Sequence, residues 1–372
     1  MKRLIGWPRW SFWTWCCMLL VAGGVCAYYL RTVHAAGPTA AHLRDIFPWG
    51  VGVGLSVLCG IALCAGGFTV AATIRILDLE NYKAIVRPCL LIGFLGYLVA
   101  FLGFVTDAGQ PYRIGLLITW NSRLALAGAV WSLVLYAAVL ALEFAPELCK
   151  RFGWREPPKP LRLLSMPLLL LAVVLSVLHQ TSMADLLLGA PNKVSALWST
   201  PQLPFLFFVS AACAALAAVI FASWHTSIAF ARGLPANLVA GMGKALAALL
   251  FFYLGLRFAD SISRGIPLLV QNNDLQSLLF GLEIGLFFMP MWLLITERDP
   301  VDPRVVYYSA VMVLAALITN RLNTCITSVE ATTGMRYLPS WNEFLIAYGV
   351  IALGVVAFSL TVKRLPVFSE TC

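Results

Sequence analysis

The sequence predicts an all-α integral membrane protein, a polytopic bundle of about ten transmembrane helices with both termini cytoplasmic. Three observations carry that prediction. Hydrophobic residues make up 60% of the 372 and charged residues only 12%, with a mean hydropathy of +0.86, far from the balance of a soluble domain. The apolar residues gather into about ten runs, each near the ~20 residues that cross a bilayer as a helix. The basic residues are distributed unevenly between alternate loops, as the positive-inside rule requires.

The first run, Ser11 to Leu30, follows Lys2, Arg3 and Arg9 and precedes Val33-His34-Ala35, a pattern shared with cleavable signal peptides. It is read as a retained helix, peripheral to a core that spans about 47–365 of a single integral membrane domain, residues 1–372. The second run, Val51 to Ile76, is opened by Phe47-Pro48-Trp49-Gly50, and the third, Pro88 to Val105, is closed by Asp107. Asn121, Ser122 and Arg123 open the fourth, Leu124 to Leu142. The fifth, Leu161 to Leu178, is closed by the stretch LHQTSM, Leu178 to Met183. The sixth covers Leu203 to Trp224; the seventh, Val239 to Phe258, is closed by LRFAD, Leu256 to Asp260. The eighth is Leu275 to Ile295. The ninth, Val305 to Leu322, is closed by Asn320-Arg321-Leu322-Asn323, and YLPSWNE, Tyr337 to Glu343, opens the tenth, Phe344 to Val362. With the N-terminus inside, seventeen of the 26 basic residues fall on the cytoplasmic side. The longest connection, Glu143 to Lys159, is charged and contains prolines, so a catalytic subunit would be a separate chain.

Composition also excludes several chemistries. The formal charge of +9 comes without a basic stripe interleaved with aromatics, so no nucleic-acid partner is expected. The ten cysteines are scattered, with no CxxC and no Cys/His ladder, so no iron-sulfur cluster and no metal site is expected in this chain. Of four histidines, His34 and His42 fall in an outer loop, while His179 and His225 fall at opposite helix ends, roughly 30 Å apart. A haem b held between two histidines is therefore not expected.

On this topology the polar stretches collect at the non-cytoplasmic face. A convergence of Arg, Asp, His, Trp and Asn at one membrane face suits an amphipathic ligand with its head at the interface and its tail in lipid. A quinone meets that description, because its carbonyls accept hydrogen bonds and its reduction takes up two protons from nearby donors. His179 titrates in a useful range for such a role. The plainer reading is of paired charges at helix ends, Arg257 with Asp260 and Arg321 with Glu330 or Glu343. Glu283 lies about eight residues into the eighth helix; an unpaired carboxylate there favours its neutral form. It reads either as a step in proton transfer or as a hydrogen-bonded packing residue. Gly281 and Gly285 flank it in a small-xxx-small pattern that permits close helix packing.

These same stretches resemble the NrfD/HybB family (polysulfide reductase NrfD-like), closest to the HybB-type membrane subunit of hydrogenase-2-like complexes. FPWG, GGFTVAAT, VRPCLL, ALEFAP, LHQTSM, KVSALW, LRFAD and YLPSWNE stand in the family's order from about Phe47 to Leu365. The resemblance implies a subunit of the bacterial inner membrane with its functional face periplasmic and no redox cofactor of its own. A periplasmic ferredoxin-like 4Fe-4S subunit would pass electrons between a catalytic partner, such as a [NiFe] hydrogenase or another oxidoreductase, and a menaquinone-type quinone. The quinone-binding residues it implies are His179, Gln180, Ser182, Arg257, Asp260, Trp341 and Glu343. One departure concerns the start of the fourth helix, where an acidic residue is expected and Arg123 to Gly128 read RLALAG. Glu283 and Asp107, with Arg321, are then the candidates for proton transfer. Two rival classes are a passive membrane anchor for a redox partner and a secondary transporter, which would place polar sites near the midplane on interrupted helices.

Overall fold

The computed structural model describes residues 10–34, 49–107, 134–136, 138–139, 142, 159–189, 194–266, 274–297, 301–365 and 367–368. Every regular element among them is helical, and nine helices are long and apolar enough to cross a membrane. They are α1 (Trp10–His34), α2 (Val53–Ile76), α3 (Lys83–Asp107), α4 (Lys159–Leu188), α5 (Leu203–Phe230), α6 (Ala236–Ser263), α7 (Leu275–Thr296), α8 (Pro303–Thr333) and α9 (Trp341–Arg364). Most of the fourth predicted run lies outside the described residues, as do Phe47, Pro48, Asn121, Ser122, Arg123 and the stretch to Gly128. The fifth to tenth runs of the sequence are thus α4 to α9.

Every one of these helices except α2 is longer than the apolar run that announces it, because hydropathy marks the hydrocarbon while the helix continues to a polar cap. Asp274 accepts from Ser277 N at 2.8 Å to start α7, and Asp302 accepts from Arg304 N at 2.8 Å to start α8. Ser340 and Glu343 form a reciprocal capping box at the start of α9. The extension moves two predicted features. LHQTSM lies within α4, which runs on to Leu188, and Asn320 to Asn323 lie more than two turns short of the end of α8.

The bundle is built around α2, which packs against α3, α4 and α5. Its span is 83% buried within the protein, against 11% for α1. The α2–α5 contact is close enough that a Cβ on Gly66 would overlap the Ala211 carbonyl oxygen. On the other side, α1 lies along α9, where a Cβ on Gly349 would come within 3.0 Å of Gly24 Cα. Small residues bring these backbones together, as is usual where lipid leaves packing to drive helix association.

One face of the bundle carries the ends of α1, α3, α4, α6 and α8 and the starts of α2, α5, α7 and α9; it is called the site face below. Two helices lose regular winding near it. Val53–Leu58 in α2 and Asn323–Thr327 in α8 are π-helical, and the two segments touch. Such widened turns are rare and often mark functional places.

Candidate functional site

Beneath the site face, α6, α7 and α8 bury a charged cluster. Glu283 of α7 has no exposed surface. Its carboxylate accepts from Trp198 Nε1 at 2.9 Å, Asn320 Nδ2 at 2.8 Å and Asn323 Nδ2 at 3.1 Å. Arg257 of α6 stands 3.8 Å away and donates to the Leu197 carbonyl at 3.2 Å. A buried carboxylate is tolerable when donors and an opposite charge surround it in this way. Glu283 is thus a partnered carboxylate, not the unpaired one considered from sequence.

One turn further along α6, Asp260 accepts from Thr200 Oγ1 at 2.6 Å and from Arg264 Nη2 and Nε at 2.8 and 3.1 Å. The ion pairs therefore differ from those expected: Arg257 pairs with Glu283, and Asp260 with Arg264. Arg321 of α8 pairs with neither Glu330 nor Glu343. It donates to Asn320 Oδ1, the Phe207 carbonyl and Ser210 Oγ, with its guanidinium carbon 3.6 Å from the centre of the Phe207 ring. Glu330 instead accepts from Tyr337 N at 2.7 Å. Gly281 and Gly285 are exposed, and no described residue lies within 4 Å of a Cβ placed on either. Among the described residues no helix packs closely against them, because Glu283 faces inward and they face out.

A second polar group lies at the same face between α1, α3 and α9. Arg31 donates to the Asp107 carbonyl at 3.3 Å, and Gly52 at the head of α2 leaves room for the Asp107 carboxylate. Glu343 is buried and accepts from Ser340 N at 2.7 Å. The Tyr337 hydroxyl accepts from Val51 N at 3.2 Å, and its own burial pushes that phenol up from its ordinary pKa. Trp341 is 83% exposed. With Leu20, Phe344, Leu345 and Tyr348 it lines an open groove of about 370 Å³ between α1 and α9.

His179 and Gln180 are buried in α4 and Ser182 is half-buried. His179 lines a third place, a cavity of about 10 Å³ that it shares with Ile61, Cys64, Ala65, Tyr97, Tyr136 and Ser176. That is room for about one water. The Tyr136 and Ser176 hydroxyls are hydrogen-bonded at 2.8 Å. The residues predicted together thus fall into three places: His179, Gln180 and Ser182 on α4; Arg257 and Asp260 with Glu283 and Arg321; Trp341 and Glu343 with Asp107. Arg257 and Asp260 already hold internal partners.

Sequence reading did not single out Arg264 or Thr200. The spacing of Arg257, Asp260 and Arg264 at i, i+3 and i+7 places them on one helix face and was a usable sign. Trp198 was quoted only as part of KVSALW; its indole is the donor that reaches Glu283.

Fold and clusters together define a polytopic helical membrane protein with charge buried beneath one face. The chain belongs to the family described as Polysulphide reductase, NrfD, whose profile matches residues 40–330, as the ordered stretches imply. It is similar to the probable Ni/Fe-hydrogenase 2 b-type cytochrome subunit of Escherichia coli (strain K12), 28% identical over 94% of this chain and 89% of the relative. It is also similar to the menaquinone reductase integral membrane subunit of Nitratidesulfovibrio vulgaris (strain Hildenborough), 26% identical over 97% and 93% of the two chains.

The first relative's name raises haem b, which needs axial ligands that face one another. Among the described residues the helix-borne histidines are His34, which the structure places at the end of α1 and not in the outer loop expected, His179 and His225. His179 faces the small cavity in the site-face half of α4, whereas His225, near the opposite end of α5, shares a 3.1 Å hydrogen bond with the Tyr307 hydroxyl. These two do not fit a haem between them. No group of three or more His, Cys, Asp or Glu among the described residues is arranged to hold a metal ion.

Proposed function

We propose that this protein is the quinone-interacting membrane subunit of a respiratory oxidoreductase complex. It exchanges electrons between a partner iron-sulfur subunit and the menaquinone pool. The observation that carries the reading is the gathering of buried Arg257, Asp260, Glu283, Arg321 and His179 toward one face of a helical bundle of this family. The names of the two relatives, a hydrogenase subunit and a menaquinone reductase subunit, support it. The chain sits in the bacterial inner membrane with the site face periplasmic. A ferredoxin-like 4Fe-4S subunit docks there and links it to a catalytic subunit, a [NiFe] hydrogenase or another oxidoreductase.

Of the three polar places, that of His179 is the one proposed for the quinone head. His179, Gln180 and Ser182 lie toward the site-face end of α4, and side chains and helices around the small cavity there move apart to admit the quinone head. Trp341 lines the groove on α9, an approach from lipid, and Glu343 is buried at the head of the same helix. Arg257 and Asp260 act from behind, through the charge they fix around Glu283. Reduction of the head takes two electrons from the partner and two protons. His179 hands over one proton, and Glu283, Asp107 and Arg321 belong to the route that supplies them.

Replacing His179 with Ala tests this in the intact complex. Quinone-linked turnover is expected to fall at least about 100-fold, while the catalytic partner still reduces or oxidises a soluble dye. Full quinone turnover in that variant would overturn the assignment, and solvent extraction of bound quinone reports whether binding or proton delivery was lost.

A further inference from the structure

Segment 194–202, between α4 and α5, crosses the site face directly above Glu283. Three side chains on one face of α6 hold it. Arg264 Nη1 donates to the Ala196 and Ser199 carbonyls at 2.8 and 2.7 Å, and Arg257 Nη2 donates to the Leu197 carbonyl at 3.2 Å. Asp260 accepts from the Thr200 hydroxyl at 2.6 Å. Ser328 at the end of α8 accepts from Ser195 N at 2.6 Å.

With four backbone points fixed, Trp198 has one direction left. Its ring stands edge-on to Phe280 at 6.0 Å and its indole N–H meets Glu283. Trp198 has no exposed surface, and Arg257 and Asp260 have almost none; Arg264 is 21% exposed. Arg264 is therefore the outermost member of the network and satisfies three acceptors: two loop carbonyls and the Asp260 carboxylate. A planar guanidinium presents its donors as a fork suited to that task.

We propose that Arg264 is a positioning residue, which closes segment 194–202 over Glu283 and so fixes both the donor that Trp198 supplies and the access of water to that carboxylate. This rests on the proposed part of Glu283 in supplying protons for quinone reduction. Without Arg264, the Ala196 and Ser199 carbonyls return to water, Asp260 keeps Thr200 alone, and the segment lifts. Glu283 then loses its Trp198 donor and gains a short path to the site face.

The test compares Arg264→Ala with the unaltered chain in the whole complex, by hydrogen–deuterium exchange and by turnover. Amides of 194–202 are expected to exchange at least about tenfold faster, with α5 and α8 unchanged, and quinone-linked turnover is expected to fall several-fold while dye turnover stays. Unchanged exchange in 194–202 overturns the proposal. So does accelerated exchange with unchanged quinone turnover, provided that His179→Ala still loses it. If His179→Ala also keeps full turnover, the quinone reading itself has failed. Should Arg264→Ala not assemble, Arg264→Gln, which keeps most of the volume but not the fork, is judged by the same two readings.

Discussion

Glu283 on one side of the bundle and Asp107 with Glu343 on the other lie beneath the same membrane face, yet they are held in opposite ways. Around Glu283 the described partners are donors and a cation, Trp198, Asn320, Asn323 and Arg257, with Arg264 closing the cluster from above. Around Asp107 and Glu343 there are, among the described residues, two acids beside Arg31, and Arg31 reaches the Asp107 backbone with its hydrogen bond. Glu343 turns its Oε2 to the cap of its own helix. The first arrangement belongs to the packed interior of three helices, and the second to helix ends beside a lipid-facing groove. Burial of a charge is thus not one condition here. One carboxylate is fixed by long-range partners brought together by the fold, the other by the residue three positions before it.

The largest expected difference comes from removing the acid in each group. Glu283→Leu leaves Arg257 buried without its carboxylate and is expected to cost about 3–5 kcal/mol of stability. Asp107→Asn, at a half-buried helix end, is expected to cost about 1 kcal/mol or less. Denaturant unfolding of the two purified variants in the same detergent decides it; equal losses would erase the distinction. An intermediate effect is expected at the seam beside the second group. Gly349→Leu forces α1 off α9 and is expected to cost about 1–3 kcal/mol, read as easier proteolytic release of α1 with the Arg257 side unaffected. The smallest is Ser340→Ala. It opens the capping box and is expected to cost about 1 kcal/mol, with hydrogen exchange rising only in the first turn of α9.

Much of this was legible in the sequence. Nine described helices fall where apolar runs predicted them, since a spanning helix must be long and apolar whatever its neighbours. The capping box stands in the sequence as Ser340-x-x-Glu343, both partners within one turn, although Glu343 reads there only as a partner of Arg321 or of quinone. The Glu283 cluster was legible only as a list of polar residues near one face. Which arginine meets which acid depends on helix rotation and on a turn, Ala196 to Trp198, that folds back onto α6, and neither leaves a periodic trace. The inferred pairing of Arg257 with Asp260 failed for that reason. Proximity along one helix suggested it, while Arg264, also on that face, was nearer the loop and took the acid. The glycines flanking Glu283 make the same point: their spacing is a packing motif only on a face that meets a helix, and no described helix meets theirs.

The two π-helical segments carry a consequence for how this face can vary. Each holds one residue more than an α-helical turn would need and takes it up in wider winding. Removing one residue from Asn323–Thr327 would therefore leave α8 continuous and keep Ser328 close to its place beside Ser195. The regularly wound parts of the same helices have no such tolerance, because a residue lost there turns all that follows by about 100°. In heritable terms, a single codon deletion is absorbed at these two turns and scrambles the face anywhere else along either helix.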